Sequence, residues 1–429
     1  MTTQAHIPAA GEEPTNQLEH IALSKHTHGY SPAIGKLFDL ALSYIEDAEA
    51  GNREGRGAAW TQGVFEAPLF YACDTVPMSA IDLGRLSSRN SVEVAEQVFD
   101  LPKETCSMIA VLLGEWKLRN EHSVKRVVAF NNACEPFNMG YELIRDHGYD
   151  VFRVESVIRP KLNHDGRFEQ AVQFLAGELG DLAAWLGGKP LDEARMAAEI
   201  VRINRIIGKV RRIMQLRIAN PLYMRSLPTI FLLMGSGHYF GKPQAFEDTL
   251  DELIEELQSA DYVQPTRGKI VPLTWIGARG LEFGVYKAVD DCGGALLSWF
   301  TPNPYDRGWR EDVPPLESMA RYILDYFLVG SPVNQIKGIE KLVEHAGARG
   351  IFFYHYVGCA FGGVHVEIFR EYFRKKGVPS VGLDGCFQVG APSGQLLTRV
   401  RAFIEMLSTS KAAPDAPRVI PIHPVAAAH

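Results

Sequence analysis

The residues of this chain best suited to unusual chemistry are its six cysteines. Thiolates are soft ligands that suit zinc or iron–sulfur clusters. Cys106, in LPKETCSMIAVLLGEW, lies at the start of a predicted helix, after Pro102 and Glu104. A helix N-terminus favours a thiolate or a bound anion through its free N–H groups. Cys134, in AFNNACEPFN, follows a predicted strand, and Cys359, in FFYHYVGCAFGG, follows another. In open α/β sheets, ligands bind outside the carboxyl ends of the strands. Two thiols so placed can face each other across a cleft, with Cys106 between them. The spacing is equally compatible with three ordinary buried thiols. Cys386, in GLDGCFQVG, lies just past a further strand end and reads as a fourth ligand or a nearby free thiol. Cys73 lies on the apolar side of a short helix pattern, where a thiol behaves as a small hydrophobe. Cys292 precedes a strand and has no ligand-like neighbour. Six cysteines in 429 residues are too sparse for a disulfide framework, so reduced thiols or metal ligands are expected.

Other catalytic signatures are missing. GSGHYFGKP (235–243) superficially suggests a phosphate loop. Five residues separate Gly235 from Gly241, whereas a Walker A loop has four, and Pro243 stands where Ser or Thr would hold magnesium. ATP hydrolysis by this chain is therefore not expected. No GxGxxG opens a helix, and there is no HExxH, GxSxG or CxxC.

The elements that must position the cysteines alternate in type. Residues 1 to about 30 read as polar and irregular, and a helical pattern follows over Ala33–Ala48. VKRVVAF (124–130) and VFRVESVI (151–158) read as strands flanking a helix over Phe137–His147. That order argues for a βαβ unit and a parallel sheet. From 164 to about 262 the pattern is mostly helical, and Arg202, Arg205, Lys209, Arg211, Arg212 and Arg217 line one face. The basic face can meet an anionic ligand or partner, or simply be solvated. Buried-strand patterns return at 269–277, 294–300, 350–358 and 378–384, with crossing helices at 317–330, 336–347 and 366–377. The fold class is α/β: two open parallel-sheet domains with an intervening helical region. The expected boundaries are an irregular and helical segment over 1–56, a first α/β domain over 57–163, a helical region over 164–265, a second α/β domain over 266–408 and a flexible tail over 409–429. No internal repeat is visible in the sequence.

Composition narrows the class. Hydrophobic residues make up 46% and charged residues 22%, enough apolar material for more than one core. A net charge of −7 argues against a general nucleic-acid binder. No stretch approaches the roughly 20 apolar residues of a membrane helix. The N-terminus lacks a secretory pattern, so a cytoplasmic location is expected.

The segment 347–407 makes the chain recognisable. It contains a strand ending at Cys359, a helix leading to GVP (377–379), and a closing GQxxTRxxAFIE formed by Gly394, Gln395, Thr398, Arg399, Ala402, Phe403, Ile404 and Glu405. This resembles the 2-hydroxyacyl-CoA dehydratase / benzoyl-CoA reductase family. WTQGVFEAPLFYACDTVPM (60–78), with Glu66 and Pro77, is similar to an early segment of that family. Cys106 and Cys134 fall where the family carries its other two cluster cysteines. The resemblance spans roughly residues 57–408.

The resemblance implies two Rossmann-like domains with one [4Fe–4S] cluster between them, held here by Cys106, Cys134 and Cys359. It implies a paralogous cluster-bearing partner subunit in a heterodimer. It also implies a separate ATP-hydrolysing iron–sulfur activator, fed by ferredoxin, and an aroyl-CoA or acyl-CoA substrate. The chain departs from the pattern at Cys386, where many dehydratase subunits carry an acidic residue. The first reading is the iron–sulfur subunit of an ATP-dependent benzoyl-CoA reductase, reducing the aromatic ring to a cyclic dienoyl-CoA. Alternatives are a 2-hydroxyacyl-CoA dehydratase subunit (ketyl-radical loss of water), a double-cubane-cluster reductase and a non-catalytic metal-bearing scaffold. Burial and few donors to the sulfurs are expected to keep the potential low. Proton-handling candidates are His355, which shares strand parity with Cys359, and Glu135, beside Cys134. His355 also reads as a hydrogen-bonded core residue, and Glu135 as a cap. Arg399 is the candidate for a CoA phosphate or a carboxylate, or else fixes the last helix to the sheet together with Thr398.

Overall fold

The computed structural model describes residues 14, 17–61, 67–83, 90–120, 124–130, 134–157, 165–259, 270–278, 280–299, 308–325, 332–387 and 392–409. Glu66 and the tail after Thr409 lie outside them.

Among the described residues, eight strands form two sheets. The first contains β1 (Gly57–Thr61), β2 (Thr75–Ser79), β3 (Arg126–Phe130) and β4 (Asp150–Val154), in the order β2-β1-β3-β4. The second contains β5 (Val271–Gly277), β6 (Gly294–Trp299), β7 (Gly350–Tyr356) and β8 (Ser380–Gly385), in the order β6-β5-β7-β8. Every pairing is parallel. The two sheets therefore repeat one topology that the sequence does not repeat. In each, the strand order reverses beside the first strand, between β1 and β3 and between β5 and β7. Such switch points open the crevice in which α/β proteins bind ligands.

Strands β3 to β8 lie where hydrophobic runs place them, and β6 is buried along its whole length. Parallel strands covered on both faces read as continuous apolar runs rather than alternating ones. The helix Pro32–Arg53 is capped by Ser31, whose hydroxyl accepts from the Ile34 amide at 3.1 Å. It runs through Gly51, and Gly55 at φ +88° follows its end. The segment read as irregular before Ala33 instead contains the helix Gln17–Thr27. Gln17 ties that helix to the second half by donating to the Leu281 carbonyl at 2.9 Å.

The basic face of the helix Glu193–Ala219 is largely neutralised within the fold. Arg205 and Lys209 pair with Glu247 at 2.5 and 2.9 Å, on the neighbouring helix Pro243–Ser259. These cations hold the Glu247 carboxyl down at about 2, the hydrogen bond from Arg205 contributing most. Arg217 is fully buried and donates to the Met224 and Leu296 carbonyls. Among the described residues, no helix is long and apolar enough to cross a membrane.

Candidate functional site

Each of the three singled-out cysteines is an N-cap. Cys106 caps the helix Ser107–Leu118, Cys134 caps Glu135–Arg145, and Cys359 caps Ala360–Lys375. Cys134 and Cys359 follow β3 and β7, which hold the same position in the two sheets. Helix N-terminal amides approach the sulfurs: Met108 and Ile109 at Cys106, Phe137 at Cys134, and Gly362 at Cys359, 3.2 Å from Sγ. Of these contacts, the Gly362 amide makes a hydrogen bond to sulfur, whereas Cys106 and Cys134 make no side-chain cap bond. Amides at an N-cap favour anionic sulfur.

Cys106 and Cys359 meet thiol to thiol. Their hydrogen bond, followed by burial, drives the Cys106 thiol far above its ordinary range. Burial also pushes the Cys134 thiol up, and charge on Cys359 adds to this. Without a cation the Cys106 and Cys134 thiols are therefore better neutral than charged. A bound metal reverses that preference, because ligation removes the protons. The donor set and its helix N-termini fit an iron–sulfur group chemically. Among the described residues, no three His, Cys, Asp or Glu side chains gather closely enough to hold a single metal ion.

The two sheets are joined at this point. The Ser107 amide donates to the Val357 carbonyl at 3.1 Å, and the Phe387 amide donates to Ser107 Oγ at 3.2 Å. Cys386 follows β8 on the same side, and its thiol meets the Ser107 hydroxyl. Its amide donates to Glu282 Oε2 at 2.9 Å, an oxygen that also accepts from the Tyr354 hydroxyl at 2.9 Å. Burial pushes the Glu282 carboxyl and the Cys386 thiol up.

His355 and Arg399 converge on Asp384, at 3.0 and 3.1 Å. Arg399 also reaches the Gly382 carbonyl, so it fastens the helix Gly394–Thr409 to β8. Thr398 bonds within its own helix, to the Gly394 carbonyl, and does not share that task. Strand parity does not connect His355 to Cys359, because β7 ends at Tyr356 and Gly358 turns to φ +79°. Glu135 is exposed in the first turn of the Cys134 helix.

Two hydroxyls were not singled out by sequence. Thr61 and Ser79 are register partners at the carboxyl ends of β1 and β2. Both are buried, and neither hydroxyl oxygen has a hydrogen-bond partner among the described residues. No sequence signal marked them, because β1 and β2 themselves carry no clear strand pattern. Cys73 is buried against the Ala183 carbonyl, as a small hydrophobe would be.

The profile of the family described as 2-hydroxyglutaryl-CoA dehydratase, D-component, matches residues 64–407. The chain belongs to that family. The match covers both sheets except β1 and includes every cysteine discussed above. No curated protein matches the chain significantly.

Proposed function

We propose that this family member is the iron–sulfur subunit of an ATP-dependent benzoyl-CoA reductase, with Cys106, Cys134 and Cys359 as ligands of one [4Fe–4S] cluster. The observation that carries the reading is that all three cysteines cap helices, two of them at equivalent strand exits of the two sheets. When bound, such a cluster supplies single electrons at low potential.

The chain's own residues account for the remaining tasks. The helix N-termini stabilise negative sulfur. Thr61 and Ser79 offer two unused hydroxyl donors in a buried setting, which suits an oxygen that gains charge. His355 is oriented through Nε2 by Asp384, and its buried Nδ1 has no protein partner, so it can hold or pass a proton there. Glu135 is the second proton-handling candidate. Arg399 can reach a CoA phosphate only by leaving Asp384. Aromatic pairs flank the cysteines, Tyr356–Phe387 at 5.2 Å and Phe137–Tyr141 at 4.8 Å, which favours an aroyl-CoA. The missing phosphate loop accords with a separate ATP-hydrolysing activator fed by ferredoxin, and a paralogous subunit completes the enzyme. The family description favours a second reading, a 2-hydroxyacyl-CoA dehydratase subunit.

The test is anaerobic purification with co-purifying partners, followed by counts of iron, sulfide and zinc. About four iron per chain, lost in Cys134→Ala, supports the reading, and about eight indicates a larger cluster. Turnover of benzoyl-CoA rather than a 2-hydroxyacyl-CoA then separates reductase from dehydratase. Zinc, or no metal, overturns both.

A further inference from the structure

Cys386 belongs to the cysteine site but is held differently from the other three. Cys106, Cys134 and Cys359 each cap the start of a helix, and at Cys359 the Gly362 amide donates to Sγ at 3.2 Å. Cys386 caps no helix: it follows β8 directly, and neither it nor Phe387 is helical. Its thiol meets the hydroxyl of Ser107, the residue next to Cys106. On its other side stands Glu282, only 6% exposed, which accepts the Cys386 amide.

The backbone is shaped around this arrangement. A Cβ on Gly385 would lie 1.8 Å from the Tyr354 hydroxyl oxygen, and one on Gly277 would lie 2.2 Å from the Tyr354 carbonyl oxygen. A Cβ on Gly280 would approach the same ring at 3.0 Å. Three glycines thus make room for one tyrosine, whose hydroxyl then fixes Glu282 at 2.9 Å. A carboxylate beside a thiol disfavours the thiolate that metal ligation needs.

We propose that Cys386 is a fourth thiol of this site that keeps its hydrogen and does not ligate the cluster, with Glu282 as the residue that positions it. The inference rests on the cluster reading above. It gives the site three ligand thiols and one hydrogen-bearing thiol, and it assigns the Tyr354–Glu282 pair the task of keeping them distinct. The proposed role for Glu282 acts through Cys386 alone.

The test uses the full chain, purified anaerobically with its partners. Iron is counted, the electron paramagnetic resonance spectrum of the reduced protein is recorded, and iodoacetamide is added without denaturant before peptide mapping. Cys386→Ala is expected to keep wild-type iron and the wild-type spectrum, whereas Cys106→Ala loses iron. In iron-loaded wild type, Cys386 is expected to be alkylated while Cys106, Cys134 and Cys359 are protected. Glu282→Gln is expected to keep the iron and to speed alkylation at Cys386 several-fold at neutral pH, an effect that a purely structural glutamate would not have. Loss of iron or a changed spectrum in Cys386→Ala makes it a ligand and overturns the proposal. So does a Cys386 protected only when iron is present, or an unchanged alkylation rate in Glu282→Gln. Wild-type protein without iron instead overturns the cluster reading itself, and the iron count separates the two failures.

Discussion

Gly358 packs directly on the backbone of Cys106: a Cβ built on Gly358 would lie 2.9 Å from the Cys106 amide nitrogen and 2.6 Å from the Glu104 carbonyl oxygen. The contact involves backbone on both sides, so no side chain can swing away to relieve it. Gly358 also has φ +79°, where an L side chain is strained. Together with the Ser107–Val357 hydrogen bond, this close approach holds the Cys106 and Cys359 loops in register.

Gly358→Ala is therefore expected to cost more than backbone strain alone. Gly377 provides the comparison, since its φ is +74° but nothing lies within 4 Å of its would-be Cβ. Gly377→Ala should lose about 1–2 kcal/mol in urea unfolding, the cost of the left-handed conformation. Gly358→Ala should lose clearly more and should also lower iron loading. Equal losses in the two variants would show that the approach to Cys106 does not matter.

Two titratable groups on one small cavity give a pH signature. His28 and Asp290 both line a cavity of about 200 Å³, with Arg225, Lys287 and Asp291 beside them. Burial lowers His28 from 6.5 to about 4 and raises Asp290 from 3.8 to about 6. Between about pH 6.5 and 4 the unfolded chain takes up a proton at His28 that the folded protein refuses, so stability falls as pH drops. Between about pH 3.8 and 6 the folded protein keeps a proton at Asp290 that the unfolded chain releases, so stability falls as pH rises. The two trends oppose each other. In His28→Gln only the Asp290 trend remains, and stability should decline from about pH 4 to 6 relative to wild type. In Asp290→Asn only the His28 trend remains, and stability should decline from about pH 6.5 to 4. Denaturation midpoints across that range decide it, and parallel profiles in all three proteins would refute the opposition.

What could be read from the sequence follows from where the pattern is strong. β7 and its helix were legible because IFFYHY is a continuous apolar run and the helix ends in Arg374, Lys375 and Lys376. β1 and β2 were not separable. GAAWT carries no β-branched run, and TVPMS contains Pro77, which a strand tolerates only at a sheet edge, where β2 lies. The helix Gln17–Thr27 has no strong apolar stripe and is held by Gln17 and the residues around His28. The helix-capping cysteines were visible at strand and helix ends. Glu282 was not, because an acidic residue before a helix looks like an ordinary cap, and Tyr354 looks like core. The repeated topology left no trace, since equivalent strands share position but not residues.

Ser79 separates stability from binding. A buried hydroxyl with no partner has lost its water without gaining a hydrogen bond. Ser79→Ala should therefore leave stability unchanged or raise it by up to about 1 kcal/mol. The same change should weaken binding of the CoA thioester, because it removes one of two adjacent donors at the strand ends. A clear loss of stability would mean that the hydroxyl serves the fold. Unchanged affinity would remove Ser79 from the site.

The GSGHYFGKP segment has a structural use that accounts for its unusual composition. Tyr239 and Phe240 adopt φ +55° and +48°, which bulky residues rarely do without support. The support is His238, fully buried, whose Nδ1 accepts from the Phe240 amide at 3.2 Å. Its ring stacks on Tyr44 at 4.6 Å, and its Nε2 lies 2.7 Å from Asp82 Oδ2, also fully buried. Removing one member of such a pair leaves the other buried with a partner lost, at a typical cost of about 1–3 kcal/mol. His238→Ala should lose an amount in that range by chemical denaturation, while Asp82→Asn, which keeps shape and removes charge, should lose less. The double variant His238→Ala/Asp82→Ala should lose less than the sum of the single alanine changes by more than about 1 kcal/mol, as coupled neighbours do. Additive losses would mean that the strained turn is held by stacking on Tyr44 alone.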